Sequence, residues 1–378
     1  MIYFDNAATT IMHKEVVEAM RPYWSELYGN PSSLYDFAIK SRESVEKSRK
    51  RIADVINAKP EEIYFTSGGT ESDNWAIYSA ANAINIKGNH IITTVIEHPA
   101  VLNTCRSLTK KGYRVSYIPV DKYGVISLED LENAITDDTV LISVMFANNE
   151  IGTIEPIDKI AQIAHKYGIA FHTDAVQAFC QIPIDVKKLK IDMLSLSGHK
   201  FNGPKGVGAL YIRQGLPIEP FMNGGSQEKK KRAGTTNVPS IVGMGEAAIL
   251  SDSRLDYKVK TEIELRDYFI KRLSDEIADI RINGDIDNRL PGNVNVSFKN
   301  TDGESLLVIL DENGICASAG SACSSLKKGN SHVLEAICVP DEFISGSIRF
   351  TLSENNTKDE IDFTIKVLKD SVEKLRVN

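Results

Sequence analysis

The 378-residue chain carries 44 Lys and Arg against 51 Asp and Glu, a net charge of −7, and is 42% hydrophobic and 25% charged. That balance suits a globular protein of about two domains with a large core and argues against a general nucleic-acid binder. No apolar run approaches the ~20 residues of a membrane span, and MIYFDNAATT lacks the basic-then-apolar pattern of a secretory signal.

In chain order, a polar, turn-prone DNAATT (5–10) precedes a helical stretch over 13–28, which ends in the loop Gly29-Asn30-Pro31-Ser32-Ser33. A basic amphipathic helix is expected over 39–57, with Val45, Ile52, Val55 and Ile56 as its apolar stripe. Five apolar runs of strand length follow, each ending in a polar group: 63–71, 90–98, 140–150, 169–177 and 193–200. Helical or loop segments of crossover length, such as 72–86 and 157–166, separate most of them. Such strands alternating with helices predict a parallel α/β sheet covered on both faces. Ligands in these sheets bind beyond the carboxyl ends of the strands, so Thr70, His98, Asn149, Asp174, Gln177 and Lys200 should converge. After Val238 the texture changes. A helix-rich stretch (241–280), strand-like pieces (293–298, 345–352) and a closing helix near 358–375 predict a second, smaller α+β domain. The N-terminal segment is expected to join it, with the boundary near residue 250.

Lys200 lies in IDMLSLSGHKFNGPKGVG (191–208), where an apolar strand breaks into Ser197, Gly198 and His199 and then a glycine-rich loop. A lysine at the mouth of a buried strand can have its ammonium desolvated, so that its pKa falls and the amine serves as nucleophile or base. The plainer reading is a solvated loop lysine. Thr66-Ser67-Gly68-Gly69-Thr70-Glu71-Ser72 joins a strand to a helix, where glycines let the backbone approach an anion and the helix N-terminus offers N–H groups. It matches neither a Walker loop nor a dinucleotide fingerprint, and it also reads as a turn with an N-cap. Asp174 could hold a heteroaromatic nitrogen protonated, with Gln177 beside a ring substituent, or it could cap the next helix. His98 reads as a site residue or as a satisfied structural histidine.

Five cysteines at 105, 180, 316, 323 and 338 form neither C-x-x-C pairs nor a disulfide framework, which predicts a reduced cytoplasmic setting and no metal. Cys323, among Gly, Ser and Ala and followed by Lys327 and Lys328, fits an exposed, locally positive loop where a thiolate is favoured. Cys105, Cys180, Cys316 and Cys338 have apolar neighbours and read as core. The run Lys229–Arg232 reads as a solvated face, with a glycine-rich loop around Thr235 that could offer a hydroxyl to a phosphate. Arg349 interrupts an apolar run, either paired structurally or clamping a carboxylate.

Taken together, these segments resemble the pyridoxal-phosphate-dependent cysteine desulfurases, the NifS/IscS-like group of class V aminotransferase-fold enzymes. YFDNAATT, GNPSS, TSGGTES, EHPAV, NNEIGT, TDAVQ, SGHKFNGPKGVGALY, GGSQEKKKRAGT, GSAC and IRFTLS occur in family order over nearly the whole chain. The resemblance implies fold type I of the PLP-dependent transferases. A large PLP-binding α/β domain with a mostly parallel central sheet would span 15–250. A small α+β domain, formed by 1–14 and 251–378, would carry the catalytic cysteine loop.

The resemblance also implies roles. Lys200 would hold pyridoxal 5'-phosphate covalently and act as base. Asp174 would pair with the pyridine nitrogen, Gln177 would contact the ring hydroxyl, and His98 would stack on the ring. Gly69, Thr70, Ser197 and His199 would bind the phosphate, with Thr235 supplied by the other subunit of a homodimer. Asn149 and Arg349 would bind the carboxylate of L-cysteine. Cys323 would take the sulfur as a persulfide, release alanine and pass the sulfur to an acceptor protein for iron–sulfur cluster assembly or tRNA thiolation, with no direct contact to nucleic acid or membrane. Selenocysteine lyase, or an aminotransferase of the same fold, is the alternative. The chain departs from many members in having Ala319 where they have serine, and in a more basic stretch over 326–329.

Overall fold

The computed structural model describes residues 1–83, 88–319 and 330–377. In chain order its strands are β1 (Ile2–Tyr3), β2 (Ile63–Thr66), β3 (His90–Thr94), β4 (Arg114–Ile118), β5 (Thr139–Ser143) and β6 (Ala170–Asp174). They continue with β7 (Met193–Ser197), β8 (Gly208–Ile212), β9 (Ile280–Ile282), β10 (Asn293–Phe298), β11 (Ile315–Cys316) and β12 (Ser347–Thr351). Seven of them form one sheet in the order β2-β8-β7-β6-β5-β3-β4. All run parallel except β8, which is antiparallel to both β2 and β7.

Every residue of β3, β5, β6, β7 and β8 is buried, because neighbouring side chains go to opposite, covered faces. Ile91, Leu141, Ala170, Met193 and Leu210 pack beneath Trp75 and Ile77 of the helix Gly69–Ala83 and Val101 and Leu108 of the helix Pro99–Thr109. The next residue of each strand, Ile92, Ile142, Phe171, Leu194 and Tyr211, packs on the other side. There the helices Asp36–Val55, Ile157–Lys166 and Val238–Ser253 close the core.

The five strands expected from apolar runs are present, and the structure adds β4 and β8. β4 is an edge strand with an exposed Arg114 and half-buried neighbours, so it shows no continuous apolar run. β8 follows directly on the glycine-rich stretch that reads as loop. The helix expected over 13–28 is two pieces, Lys14–Met20 and Pro22–Ser25, since Pro22 has no N–H to continue the ladder.

A second apolar cluster surrounds the antiparallel sheet β12-β10-β9 and the small parallel pair β1-β11. The helix Leu255–Glu276 buries Leu265, Phe269 and Leu273, and the helix Lys358–Val377 contributes Ile361, Ile365, Leu368 and Val372. Both spacings put one apolar stripe on one helical face. Phe4 packs in this cluster, 5.8 Å from Phe269 between ring centroids. Cys105 and Cys180 are buried and Cys316 is half-buried, but Cys338 is exposed, against expectation. Its left-handed backbone (φ 54°) turns it outward between the buried Ile337 and Val339. Among the described residues no helix is long and apolar enough to cross a membrane.

The first residue of β8 fixes how closely this sheet meets the loop before the helix Gly69–Ala83. A Cβ on Gly208 would lie 2.5 Å from the Leu196 carbonyl oxygen and 2.7 Å from the Gly68 backbone. Gly208→Ala should therefore lower the denaturant midpoint by an amount equivalent to about 1–3 kcal/mol. A midpoint equal to wild type would show that the loop can simply move aside.

Candidate active site

The carboxyl ends of the parallel strands open on a cleft of about 200 Å³, lined by Gly69, Thr70, His98, Asn149, Asp174, Gln177, Ser197, His199, Lys200 and Arg349. Each arrives from a different element. β2 runs into the turn that starts the helix Gly69–Ala83, whose first N–H groups have no intrahelical partners. At Gly69 a Cβ would come within 2.6 Å of Val176 Cγ2, so the backbone itself forms the wall here. Asp174 ends β6, and Ser197 ends β7 just before the single turn Gly198–Lys200 that carries His199 and Lys200. His98 caps the helix Pro99–Thr109. Arg349 comes from the middle of β12 in the other sheet. Thr235 is exposed and does not line this cleft, and Cys323 lies outside the described residues.

Residues 5–10, the turn-prone DNAATT to which the sequence reading gives no place at the site, cross the cleft as a strap. The Lys200 Nζ donates to the Ala7 carbonyl at 2.5 Å and to the Ala8 carbonyl at 2.8 Å. Gln177 Nε2 also donates to Ala7 O, at 3.0 Å. Thr9 Oγ1 lies 3.2 Å from His199 Nδ1, and the Thr10 hydroxyl donates to His199 O and accepts from Asn202 N. On its other side the strap meets β12, where Ala7 N donates to Thr351 Oγ1 and Asp5 accepts from Arg349. The signal available in the sequence was a pair of small residues, Ala7-Ala8, between polar ones.

Burial dominates the electrostatics of the cleft. It raises the pKa of the Asp174 carboxyl, opposed by the His98 and Lys200 charges and by a hydrogen bond from Val176 N at 2.9 Å. A cation placed against Asp174 would keep it ionised. Burial raises Asp73 more strongly, with the Asp174 charge adding to it, and Asp73 Oδ1 has no hydrogen-bond partner among the described residues. Burial lowers His98, and its Nδ1 accepts from Ala100 N at 3.1 Å, which assigns the ring proton to Nε2. His199 is lowered to about 4 by burial and by Lys200 and Lys205. His172, behind the cleft, is pushed down to about 3 by burial and bridges Ser143 Oγ and Ser195 Oγ.

The basic run Lys229–Arg232 is in part a solvated face, as expected, with Lys229 and Lys230 exposed, but three of its four side chains are also tied down. Lys229 Nζ donates to Glu61 O, Lys231 Nζ donates to Ile218 O, and Arg232 forks onto Glu71, which also accepts from Ser67 N. Glu228 accepts two bonds from Arg49 and one from Phe65 N. These anchors hold three consecutive left-handed residues, Glu228, Lys229 and Lys230 (φ 41°, 57° and 64°). They leave Gly234 and Thr235 at the surface.

This donor set fits pyridoxal 5'-phosphate. A helix N-terminus with hydroxyls suits the phosphate, a buried carboxylate suits the pyridine nitrogen, and a lysine amine faces the same space. A roomier cavity of about 820 Å³ opens at the opposite ends of the strands. Its Asp192 carboxylate is already taken by His165, Arg213 and Phe171 N, so the chemistry points to the smaller cleft.

Next to His98, burial pushes Glu97 up to about 8 from 4.5, although Thr94 and Met145 N donate to it. Between these values the unfolded chain has released a proton that the folded chain keeps, so stability falls as pH rises from about 4.5 to about 8. Glu97→Gln should flatten that decline in denaturant midpoint, leaving the part that the other raised acids produce, Glu155 (about 8) and Glu262 (about 7) among them. Equal declines in wild type and variant would show that Glu97 is ionised in the folded protein.

The class-V aminotransferase model matches residues 2–363. A cysteine desulfurase IscS of Methanosarcina thermophila is 54% identical over 375 residues, covering 99% of this chain and 93% of its own. Among solved structures, a NifS-like protein superposes with a TM-score of 0.93 at 40% identity, covering 99% of this chain and 100% of its own. The structure of SspA in complex with cysteine superposes with a TM-score of 0.83 at 37% identity, covering 94% and 100%. With the family model spanning the cleft and all three sheets, the chain belongs to the class-V aminotransferase family.

Proposed function

We propose that the protein is a cysteine desulfurase, which takes sulfur from L-cysteine, releases L-alanine and carries the sulfur on Cys323. The observation that carries this reading is one cleft in which Lys200, Asp174, His98 and Arg349 meet, in a chain whose end-to-end relatives bear that name. Gly69, Thr70, Ser197 and His199 would hold the phosphate of pyridoxal 5'-phosphate, Asp174 would pair with its pyridine nitrogen, Gln177 would reach its ring hydroxyl, His98 would lie against the ring and Lys200 would hold it covalently. When bound, this group supplies an electron sink for the pair left on the substrate α-carbon.

The protein's residues do the rest. Arg349 and Asn149 take the substrate carboxylate. The Lys200 amine removes the α-proton, and the carbonyls of Ala7 and Ala8 receive the ammonium that results. His98 offers its Nε2 proton within the cleft. The Cys323 thiolate bonds to the substrate sulfur as the carbon–sulfur bond breaks. The electron pair of that bond stays with the β-carbon, which takes up a proton, and the Lys200 ammonium returns its proton to the α-carbon, giving alanine and a Cys323 persulfide. The described residues on either side of 320–329 support this route. Ser318 exchanges two backbone hydrogen bonds with Arg349, Ser331 Oγ donates to Glu150, and His332 Nε2 donates to the Glu97 carbonyl beside His98. The sulfur then goes to a thiol acceptor serving iron–sulfur clusters or tRNA thiolation in a cytoplasmic setting.

The same reading divides the chain into a large domain over 15–250 and a small one formed by 1–14 and 251–378, and makes it a homodimer. Trp24, Tyr28, Leu34 and Tyr35 are each more than half exposed, an apolar group of the kind that pairs with a second copy. Thr235, at the surface and away from its own cleft, is free to reach the partner's phosphate site.

Anaerobic incubation with L-cysteine and a thiol reductant should yield equal sulfide and alanine from wild type and neither from Cys323→Ser or Lys200→Ala. Full activity in Cys323→Ser would refute the persulfide route. In sedimentation, wild type should run at twice the chain mass, and Trp24→Asp with Leu34→Asp should run as a monomer. That monomer should bind the cofactor about tenfold more weakly, the scale of one lost charge-assisted hydrogen bond. A double variant that stays dimeric would move the interface off this group, and a monomer with undiminished cofactor affinity would remove Thr235 from the partner's site.

A further inference from the structure

We propose that Asp5 is a positioning residue that sets the plane of the Arg349 guanidinium and so determines how tightly the substrate carboxylate binds. The inference rests on the reading of Arg349 as the carboxylate clamp. Arg349 sits between the fully buried Ile348 and Phe350 and is itself only 1% exposed. An arginine in that position is costly unless its charge is paired and its N–H groups are bonded. Asp5 is its carboxylate partner, with Arg349 NH2 donating to Asp5 Oδ1 at 2.8 Å. NH1 donates to the Asn149 carbonyl, also at 2.8 Å, and Nε has no partner among the described residues. Of the five donors of a guanidinium, two are spent on these partners, and the buried Nε is spent on neither. Arg349 lines the cleft, where the charge of its guanidinium suits a carboxylate.

Asp5 is well placed to fix this geometry because its own backbone is fixed. It bridges to Thr351, two residues along β12 from Arg349. Asn6 Nδ2 donates to Thr351 O, and Ala7 N donates to Thr351 Oγ1, each at 2.8 Å. The strap that carries Asp5 therefore places the arginine and, through Ala7 and Ala8, the lysine amine as well. The ligand class that suits an arginine so placed is an amino acid with one free α-carboxylate.

Kinetics of the cofactor-loaded enzyme with L-cysteine test this. Asp5→Ala should raise KM about tenfold, the scale of one charge-assisted bond, while kcat changes far less. Asp5→Asn, which keeps an oxygen for NH2, should recover most of the loss. In an Arg349→Lys background, Asp5→Ala should add less than about twofold, because a residue acting through another has nothing left to act on. A wild-type KM in Asp5→Ala, or effects of Asp5→Ala and Arg349→Lys that multiply, would overturn the proposal. Arg349→Lys with an unchanged KM would instead overturn the clamp reading beneath it.

Discussion

A lysine ammonium at the end of a buried strand must find oxygen or lose its charge, and the architecture around the cleft follows from that constraint. β7 delivers Lys200 into a space closed by apolar strands on both sides, and the oxygens come from two consecutive backbone carbonyls, Ala7 and Ala8. A carbonyl accepts a proton-bearing amine but does not neutralise it as a carboxylate would, so the lysine is held without being committed. The small side chains of the two alanines keep the strap close. Its ends are fastened to His199 and Asn202 on one side and to Arg349 and Thr351 on the other.

The acids behind the cleft obey the same economy of charge. Asp73, Asp174 and Glu97 are all buried; the Asp174 charge raises the proton affinity of Asp73 and of Glu97, and Glu97 adds to that of Asp73. Like charges so close cannot all be ionised in a dry environment. Asp174, with a backbone donor and cationic neighbours, is the one best able to carry the charge, leaving the others to hold protons. The neutral His172 between two serine hydroxyls keeps the wall behind them polar without adding charge.

What the sequence made legible was the set of residues that immediately follow an apolar run. Asp174 and Ser197 end their strands, while His98 and Lys200 follow within one turn or cap, so strand length alone brings them to one edge. Features that depend on distant backbone were not visible. The strap works through carbonyls about 190 residues from Lys200, and any residue type has a carbonyl. The anchors of the run Lys229–Arg232 do not show in the sequence because its partners are the Glu61 and Ile218 carbonyls and Glu71. β8 was hidden by glycines that are there so that strand and loop can touch. Cys338 follows a buried isoleucine and looks apolar in context, yet a left-handed turn points it outward.

The strap also has a consequence for the order in which the site comes together. Residues 5–10 leave the ribosome early, but Asp5 and Ala7 find their partners on β12, some 344 residues later. Closing so long a loop yields no contacts until both ends are present. The large sheet can be complete, with Asp174 and Lys200 already at their strand ends, while the cleft still lacks one wall. Assembly of the centre is then among the final events of folding, and it reports that both apolar clusters have formed.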